Sequence, residues 1–364
     1  MDFTFTPEQD EAAALTAKIL EAEVTPERQR ATEAGGMRFD ASLWRTLGEA
    51  GLLGLHLPSE YGGAGLGLIE LARVLVEVGR SVAPAPLATH GAAGVLLAEL
   101  GSASQQATWL PGAADGSAML TVALAEDHAA VPTAPATIAS RADDGWVLAG
   151  AKTQVRAGTL AQAFVVTAST GSGAGAFLVE PGDGVLVEEQ RVIDGDTTAR
   201  LTLDGARASR VGDDDAAARL ALVATACACA EQFGVIEGAL AETAGYARTR
   251  EQFDRPIGSF QAVSQRLADG YIDALCARLT LWQAVWRLAE GLPAEMEVAT
   301  AKLWAADAGH RLAHTAVHVH GGVGIDLDGV THRYFTAAKR FEFAHGGATE
   351  QALTLGHALA RPTR

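Results

Sequence analysis

Arg248, Arg250 and Arg255 gather in YARTREQFDRPIGSFQAVSQRLAD, residues 246–269, of a chain whose formal net charge is −16. Guanidinium groups at such a corner do one of two things. They cap and solubilise a helix end, meeting the negative pole of its dipole, or they hold an anion such as phosphate through paired, charge-assisted hydrogen bonds. A second group is HVHGGVGI, which begins at His318. Gly321 and Gly322 lack side chains, so a ligand can approach the backbone there closely. His318 and His320 stand two apart, do not share a helix face and have no partnering carboxylate, so a metal site is not expected. A third is His345, ahead of Gly346 and Gly347. A neutral imidazole is a competent general base near pH 7, and it is equally a cap or a satisfied structural group.

The elements that position these residues fall into three regions. Residues 1–112 read as helical: Trp44, Leu47, Leu52 and Leu55 form an apolar face ending near Pro58, and a pattern from Ile69 to Gly79 runs to the breaker APAP. The intervening YGGAGLG has no preceding strand and no following Gly-Lys-Ser, so it is a turn and not a phosphate loop. Between 113 and 212 the period shortens. MLTVALAE, GWVLAGAKTQV, AFVVTAS, GAFLVEP, GVLVEEQ and ARLTLDGARASRV predict an antiparallel sandwich or barrel. From 213 to 364 helices return. Asp213, Asp214 and Asp215 suit a helix start, and Leu220, Val223, Cys227, Ala230 and Gly234 recur at spacings of three and four. That helix, running to Arg250, reaches roughly 50 Å at 1.5 Å per residue. With segments from Val263, at 294–319 and at 333–360, it predicts a four-helix bundle. The fold class is α+β, mostly α: helical domain, β domain, bundle.

Composition narrows the functions. A pI near 5.0 disfavours nucleic acid and anionic membrane as partners. Cys227, Cys229 and Cys276 are too few and too irregularly spaced for a disulfide framework or a zinc site. The start, MDFTFTPEQD, lacks the basic and apolar regions of a signal peptide, and the apolar run Leu220 to Ala230 is shorter than a bilayer span. The expectation is a soluble, cytoplasmic protein.

The order of these regions, with GLLGLHLPSEYGGAGL, YARTREQFDRPIGSFQAVSQRLAD and HVHGGVGI in succession, resembles the acyl-CoA dehydrogenase family along nearly the whole chain. The resemblance implies an FAD-dependent oxidoreductase of lipid metabolism. It would form dimers or tetramers and pass electrons to an electron-transferring flavoprotein. Carried over by position, Arg250, Gln252 and Phe253 contact the pyrophosphate and adenine region of a neighbour's FAD. Ile257, Phe260 and Gln261 lie nearby, and His318, Gly321 and Gly322 form the second half of the grip. His318 stands where the family usually has a glutamine. Arg248 and Arg255 are left as solvated or ion-paired groups.

The resemblance breaks at the chemistry. The family's base, which takes the α-proton of an acyl-CoA thioester while the flavin takes the β-hydride, is a glutamate. One family position for it falls here on His345 or Gly346, the other on Ala224. The family's Lys-x-Trp-x-Thr/Ser, set against the flavin ring, becomes GAKTQVRAG, with Gln154 and Arg156 in the key places; Glu126 stands where the family has the glutamate of its Thr-Glu-Pro. The chain therefore reads as the lending subunit of a heteromeric dehydrogenase. Two alternatives stand beside it: a self-sufficient homo-oligomer with His345 as base, and a non-catalytic acyl-CoA-binding or scaffold protein. Ala224, Ala226, Ala228, Ala230 and Gly234 allow either a bulky acyl group or close helix packing.

Overall fold

The computed structural model describes residues 4–142 and 145–360. The helices are α1 (Pro7–Glu23), α2 (Pro26–Ala34), α3 (Ala41–Glu49), α4 (Leu68–Arg80), α5 (Leu87–Leu100) and α6 (Ala103–Asp115). After the strands come α7 (Ala216–Thr249), α8 (Gln261–Ala289), α9 (Glu295–His320), α10 (Thr331–Phe343) and α11 (Ala348–Ala360). The chain divides into two compact units: residues 1–31, 72–83 and 228–364 form one, and 32–71 with 84–227 the other.

The second unit holds the sheet. Its strands are β1 (Leu120–Ala123), β2 (Ile138–Ala142), β3 (Gly145–Arg156), β4 (Ala163–Ser169), β5 (Ala174–Val179), β6 (Val185–Gln190) and β7 (Thr198–Val211). Pairing runs β1-β4-β2-β3-β7-β5, and β4 also pairs β5, so the sheet closes on itself with β6 on the edge of β7. Most pairs are antiparallel as the short alternating segments predict, but β4 runs parallel to β1 and, at the Ile138–Ser169 pair, to β2. Leu148, Phe164, Val166, Phe177 and Leu201 fill the interior. The sequence reading missed β2, whose five residues bury only Ala139 and so carry almost no apolar signal.

In the same unit α5 is apolar on every side and buries His90 along with its aliphatic residues. His90 meets the carbonyl of Ala113 at 3.0 Å and the amide of Leu120 at 3.2 Å, so Nε2 carries the proton and Nδ1 accepts. His56 is buried as well, and among the described residues neither of its ring nitrogens reaches a hydrogen-bond partner. Burial lowers His56 to about 3, with His90 adding to the effect, and burial also lowers His90 to about 4.

In the first unit α4 and α7 meet backbone to backbone. A methyl on Gly79 would lie 1.8 Å from the carbonyl oxygen of Glu231, and one on Gly234 would lie 2.0 Å from that of Val76. One turn on, a methyl on Gly238 would lie 2.4 Å from the carbonyl oxygen of Arg80. That same oxygen accepts the hydroxyl of Tyr334 at 2.7 Å. Gly234 is thus explained by helix packing, and Ala224, Ala226, Ala228 and Ala230 are all buried. Helix α7 is long and apolar enough to cross a membrane, contrary to the shorter run read from sequence. Yet 83% of its most apolar stretch is buried inside the fold, the pattern of a core helix. Helices α8, α10 and α11 pack on α9, and the break between the last two falls at Gly346 and Gly347 as expected.

Two outcomes follow. Gly234→Ala should lower stability by about 1–3 kcal/mol through overpacking, outweighing the helix-propensity gain of about 1 kcal/mol. A raised melting temperature would refute the close contact. Each buried histidine binds a proton more readily in the unfolded chain, so its contribution is complete above pH 6.5 and drains away as pH falls. Urea midpoints should give a loss of about 2 kcal/mol per histidine between pH 7 and pH 5. His56→Leu should remove roughly half of that slope, and an unchanged slope would show that His56 is not held neutral.

Candidate functional site

Helix α7 stops at Thr249 because the chain turns into a small hairpin. Glu251–Gln252 pairs with Arg255–Pro256 across Phe253 and Asp254, both in left-handed backbone with φ of 53° and 61°. Few non-glycine residues adopt that conformation, and it costs of order 1–3 kcal/mol each. The turn is held by the amide of Ile257 donating to the carbonyl of Arg250 at 2.8 Å. It is also held by rings: Phe253 sits edge-on to Phe260 at 6.1 Å, and the Arg255 guanidinium lies 4.2 Å over that ring. Arg255 is therefore a stacking group and not merely a solvated charge. Arg248 donates to the carbonyl of Ala244 on its own helix at 3.2 Å.

Arg250 behaves differently. It is exposed, and among the described residues its guanidinium takes no hydrogen-bond or ion-pair partner. Phe253 is 86% exposed, and Gln252 and Gln261 are exposed beside it, with Ile257 and Phe260 half-buried. At the end of α9, His318, Gly321 and Gly322 are exposed too. A methyl on either glycine would meet nothing within 4 Å, and Gly321 has φ 65° and ψ −141°. The two helix ends are joined by a ring stack: Tyr246 of α7 lies on His320 of α9, centroids 4.2 Å apart and 24° from parallel. The structure thus brings the arginine corner and the glycine turn into one neighbourhood. These residues fit the phosphate-bearing part of FAD: a guanidinium with no partner among the described residues, a bare glycine edge and the exposed Phe253 ring.

The sequence positions for a flavin ring do not fit. Gln154 is exposed on a β-bulge with φ 52°, and its backbone N–H donates to Gln190 Oε1 at 2.8 Å. Arg156 is paired with Asp196 at 2.7 Å. Glu126 is consumed in the core of the second unit. Its carboxylate accepts Lys152 Nζ and the Thr137 hydroxyl, each at 2.7 Å, the Thr137 amide at 2.9 Å and the Ala136 amide at 2.6 Å. Burial alone would push this carboxyl up, but the ammonium and the three other donors hold it at about 2. Lys152 is fully buried, and burial lowers its pKa against the pull of Glu126. The sequence reading missed Lys152, since nothing local marks a lysine as interior.

The base positions are also without a carboxylate. Ala224 lies buried within α7. His345 follows α10 in left-handed backbone, φ 60°, with Gly346 at φ 90°. Its carbonyl accepts the Gln351 side chain at 2.9 Å, while Glu350 accepts the Gly347 amide at 3.0 Å and so caps α11. Beneath the turn, fully buried Lys302 donates to the carbonyls of Phe341 at 2.8 Å and Glu342 at 3.4 Å. Burial brings Lys302 down to about 8. Among the described residues no group of three metal-ligating side chains forms a metal site.

Residues 6–117 match the acyl-CoA dehydrogenase N-terminal domain and residues 216–359 the C-terminal domain. Acyl-CoA dehydrogenase FadE27 of Mycobacterium tuberculosis is 48% identical over 373 residues, covering 99% of each chain. Among solved structures, a chain of the ChsE4-ChsE5 complex from Mycobacterium tuberculosis matches with a TM-score of 0.95 and 47% identity over 100% of both chains. A variant of the Tcur3481-Tcur3483 steroid ACAD matches at 0.94 and 41%, covering 97% of this chain and 98% of that one.

The Lys152–Glu126 pair is open to test. Lys152→Met should cost about 3–5 kcal/mol in urea unfolding by stranding a buried carboxylate, and adding Glu126→Gln should recover much of it. A double variant no better than the single would show that the two charges are not coupled.

Proposed function

The chain belongs to the acyl-CoA dehydrogenase family, and on that premise we propose that it is the lending subunit of a heteromeric FAD-dependent dehydrogenase. Family members are flavoprotein oxidoreductases acting on CH–CH bonds. In this reading Arg250, Gln252 and Phe253, with Ile257, Phe260 and Gln261 around them, reach the pyrophosphate and adenine side of an FAD seated mainly on an unlike partner. His318, Gly321 and Gly322 complete the grip. One observation carries the reading. Arg250 is exposed and, among the described residues, its guanidinium is unpaired, whereas Arg156 and Glu126 are committed to the chain's own ion pairs.

Two matching structures support it, since their names join two subunits: ChsE4-ChsE5 and Tcur3481-Tcur3483. The second is named a steroid ACAD, and from it we take a steroid-derived acyl-CoA as the substrate of the assembled enzyme. An electron-transferring flavoprotein, as the family implies, is the acceptor.

FAD held by these residues would supply the acceptor for the hydride leaving the β-carbon of the acyl group. The α-proton needs a base, and this chain offers alanine at 224 and histidine or glycine at 345 and 346. The base therefore comes from the partner. What this chain supplies is charge and position: a guanidinium fork pairs with phosphate oxygens in two parallel hydrogen bonds, fixing the dinucleotide as well as holding it.

The test is flavin stoichiometry. Purified alone, the chain should carry little FAD; co-expressed with its unlike homologue, it should form a complex with one FAD per unlike pair. Arg250→Ala in that complex should weaken FAD roughly ten- to hundredfold, the worth of a charged hydrogen bond. His345→Ala should leave the turnover unchanged. Full FAD on a homo-oligomer, with turnover lost in His345→Ala, would establish the self-sufficient enzyme instead. No flavin in any assembly would leave a scaffold.

A further inference from the structure

The two segments proposed to grip the dinucleotide come from different helices, and something must hold them in register. Tyr246 and His320 are that contact. Tyr246 lies one turn before Arg250, and its carbonyl accepts the Arg250 amide at 2.8 Å. His320 is the last residue of α9 and precedes Gly321 directly. Their rings stack at 4.2 Å, nearly parallel.

Packing alone does not explain a histidine here. Its Nδ1 lies 2.8 Å from the carbonyl of Ala316, which only accepts, so Nδ1 carries the proton. Nε2 is then left as a bare acceptor, buried and without a partner among the described residues. An orphaned buried acceptor is destabilising, a cost a phenyl ring would avoid. The Nδ1–H bond gives something in return: it fixes the ring plane against its own helix, and so fixes where Tyr246 must lie. Gly324 closes the other side, since a methyl there would stand 3.1 Å from Cβ of His320 and 3.0 Å from the backbone of Val317.

We infer that His320 is a positioning residue: anchored to Ala316 and stacked under Tyr246, it registers the Arg250 corner against the Gly321–Gly322 turn so that both meet one dinucleotide. The inference rests on the lending-subunit reading. It makes the two grips one unit, so damage to either ring spoils both.

The experiment is a double-variant cycle on the assembled complex, read by FAD dissociation constant from flavin fluorescence and by melting temperature. His320→Ala and Tyr246→Ala should each weaken FAD about tenfold, the measure of one aromatic pair. The double variant should be no worse than either single. His320→Phe should restore melting temperature but recover FAD binding only partly, because the phenyl ring lacks the Nδ1–H anchor. Additive losses, or FAD affinity that tracks melting temperature through all the variants, would overturn the inference and leave a plain packing contact. The underlying reading fails separately: it falls if Arg250→Ala leaves FAD binding intact, whereas the inference alone falls if Arg250→Ala releases FAD and His320→Ala does not.

Discussion

The contact on which the first unit depends is one without side chains between its backbones. Helices α4 and α7 approach so closely at Gly79, Gly234 and Gly238 that any Cβ would enter the opposing main chain. Such a contact has almost no freedom to slide, because the carbonyls of Val76, Arg80 and Glu231 leave one fitting register. It fixes the axis of a helix 34 residues long, and hence where that helix ends. The arginine corner is the far end of a lever whose fulcrum is three glycines.

Beyond the fulcrum the chain spends conformational strain and not only packing. Phe253 and Asp254 hold left-handed backbone to make a two-residue turn, and the rings of Phe253 and Phe260 with the Arg255 guanidinium clamp it. A turn this determined presents Arg250 in a set direction even while the side chain is solvated. Preorganisation of that kind lowers the ordering cost of binding. At the place where a flavin ring would need contacts, the second unit has taken the opposite course. Its polar groups satisfy one another, and the strongest of these arrangements buries a complete ion pair.

What the sequence disclosed and what it hid divide along one line. The helical period, the corner and the glycine turn are local features, legible from spacing and residue type, and the empty glutamate positions are legible only through the family resemblance. The buried lysines are not. Lys152 meets Glu126 across 26 positions and Lys302 meets Phe341 across 39, and each lysine is buried only because that remote acceptor is there. The strand Ile138–Ala142 escaped for a related reason: its pairing is set by Gly145–Arg156 rather than by its own pattern. The Tyr246–His320 stack was hidden too, being the meeting of two helices whose contact no period announces. Arg255 was read as a solvated or ion-paired charge because its partner, Phe260, faces it only once the turn has formed.

The interior lysines have a chemical corollary. The chain has four lysines, Lys18, Lys152, Lys302 and Lys339. Two are sealed, and Lys339 is mostly covered and engaged with Glu342. Lys18 alone stands open. Thioesters transfer acyl groups to free amines without any enzyme, so a protein kept among activated acyl groups is stained by its own substrates in proportion to the amines it displays. By drawing its cationic surface from arginine and hiding its lysines, this chain shows such reagents a single open lysine. The same economy means that labelling of lysine side chains will report chiefly on the first helix.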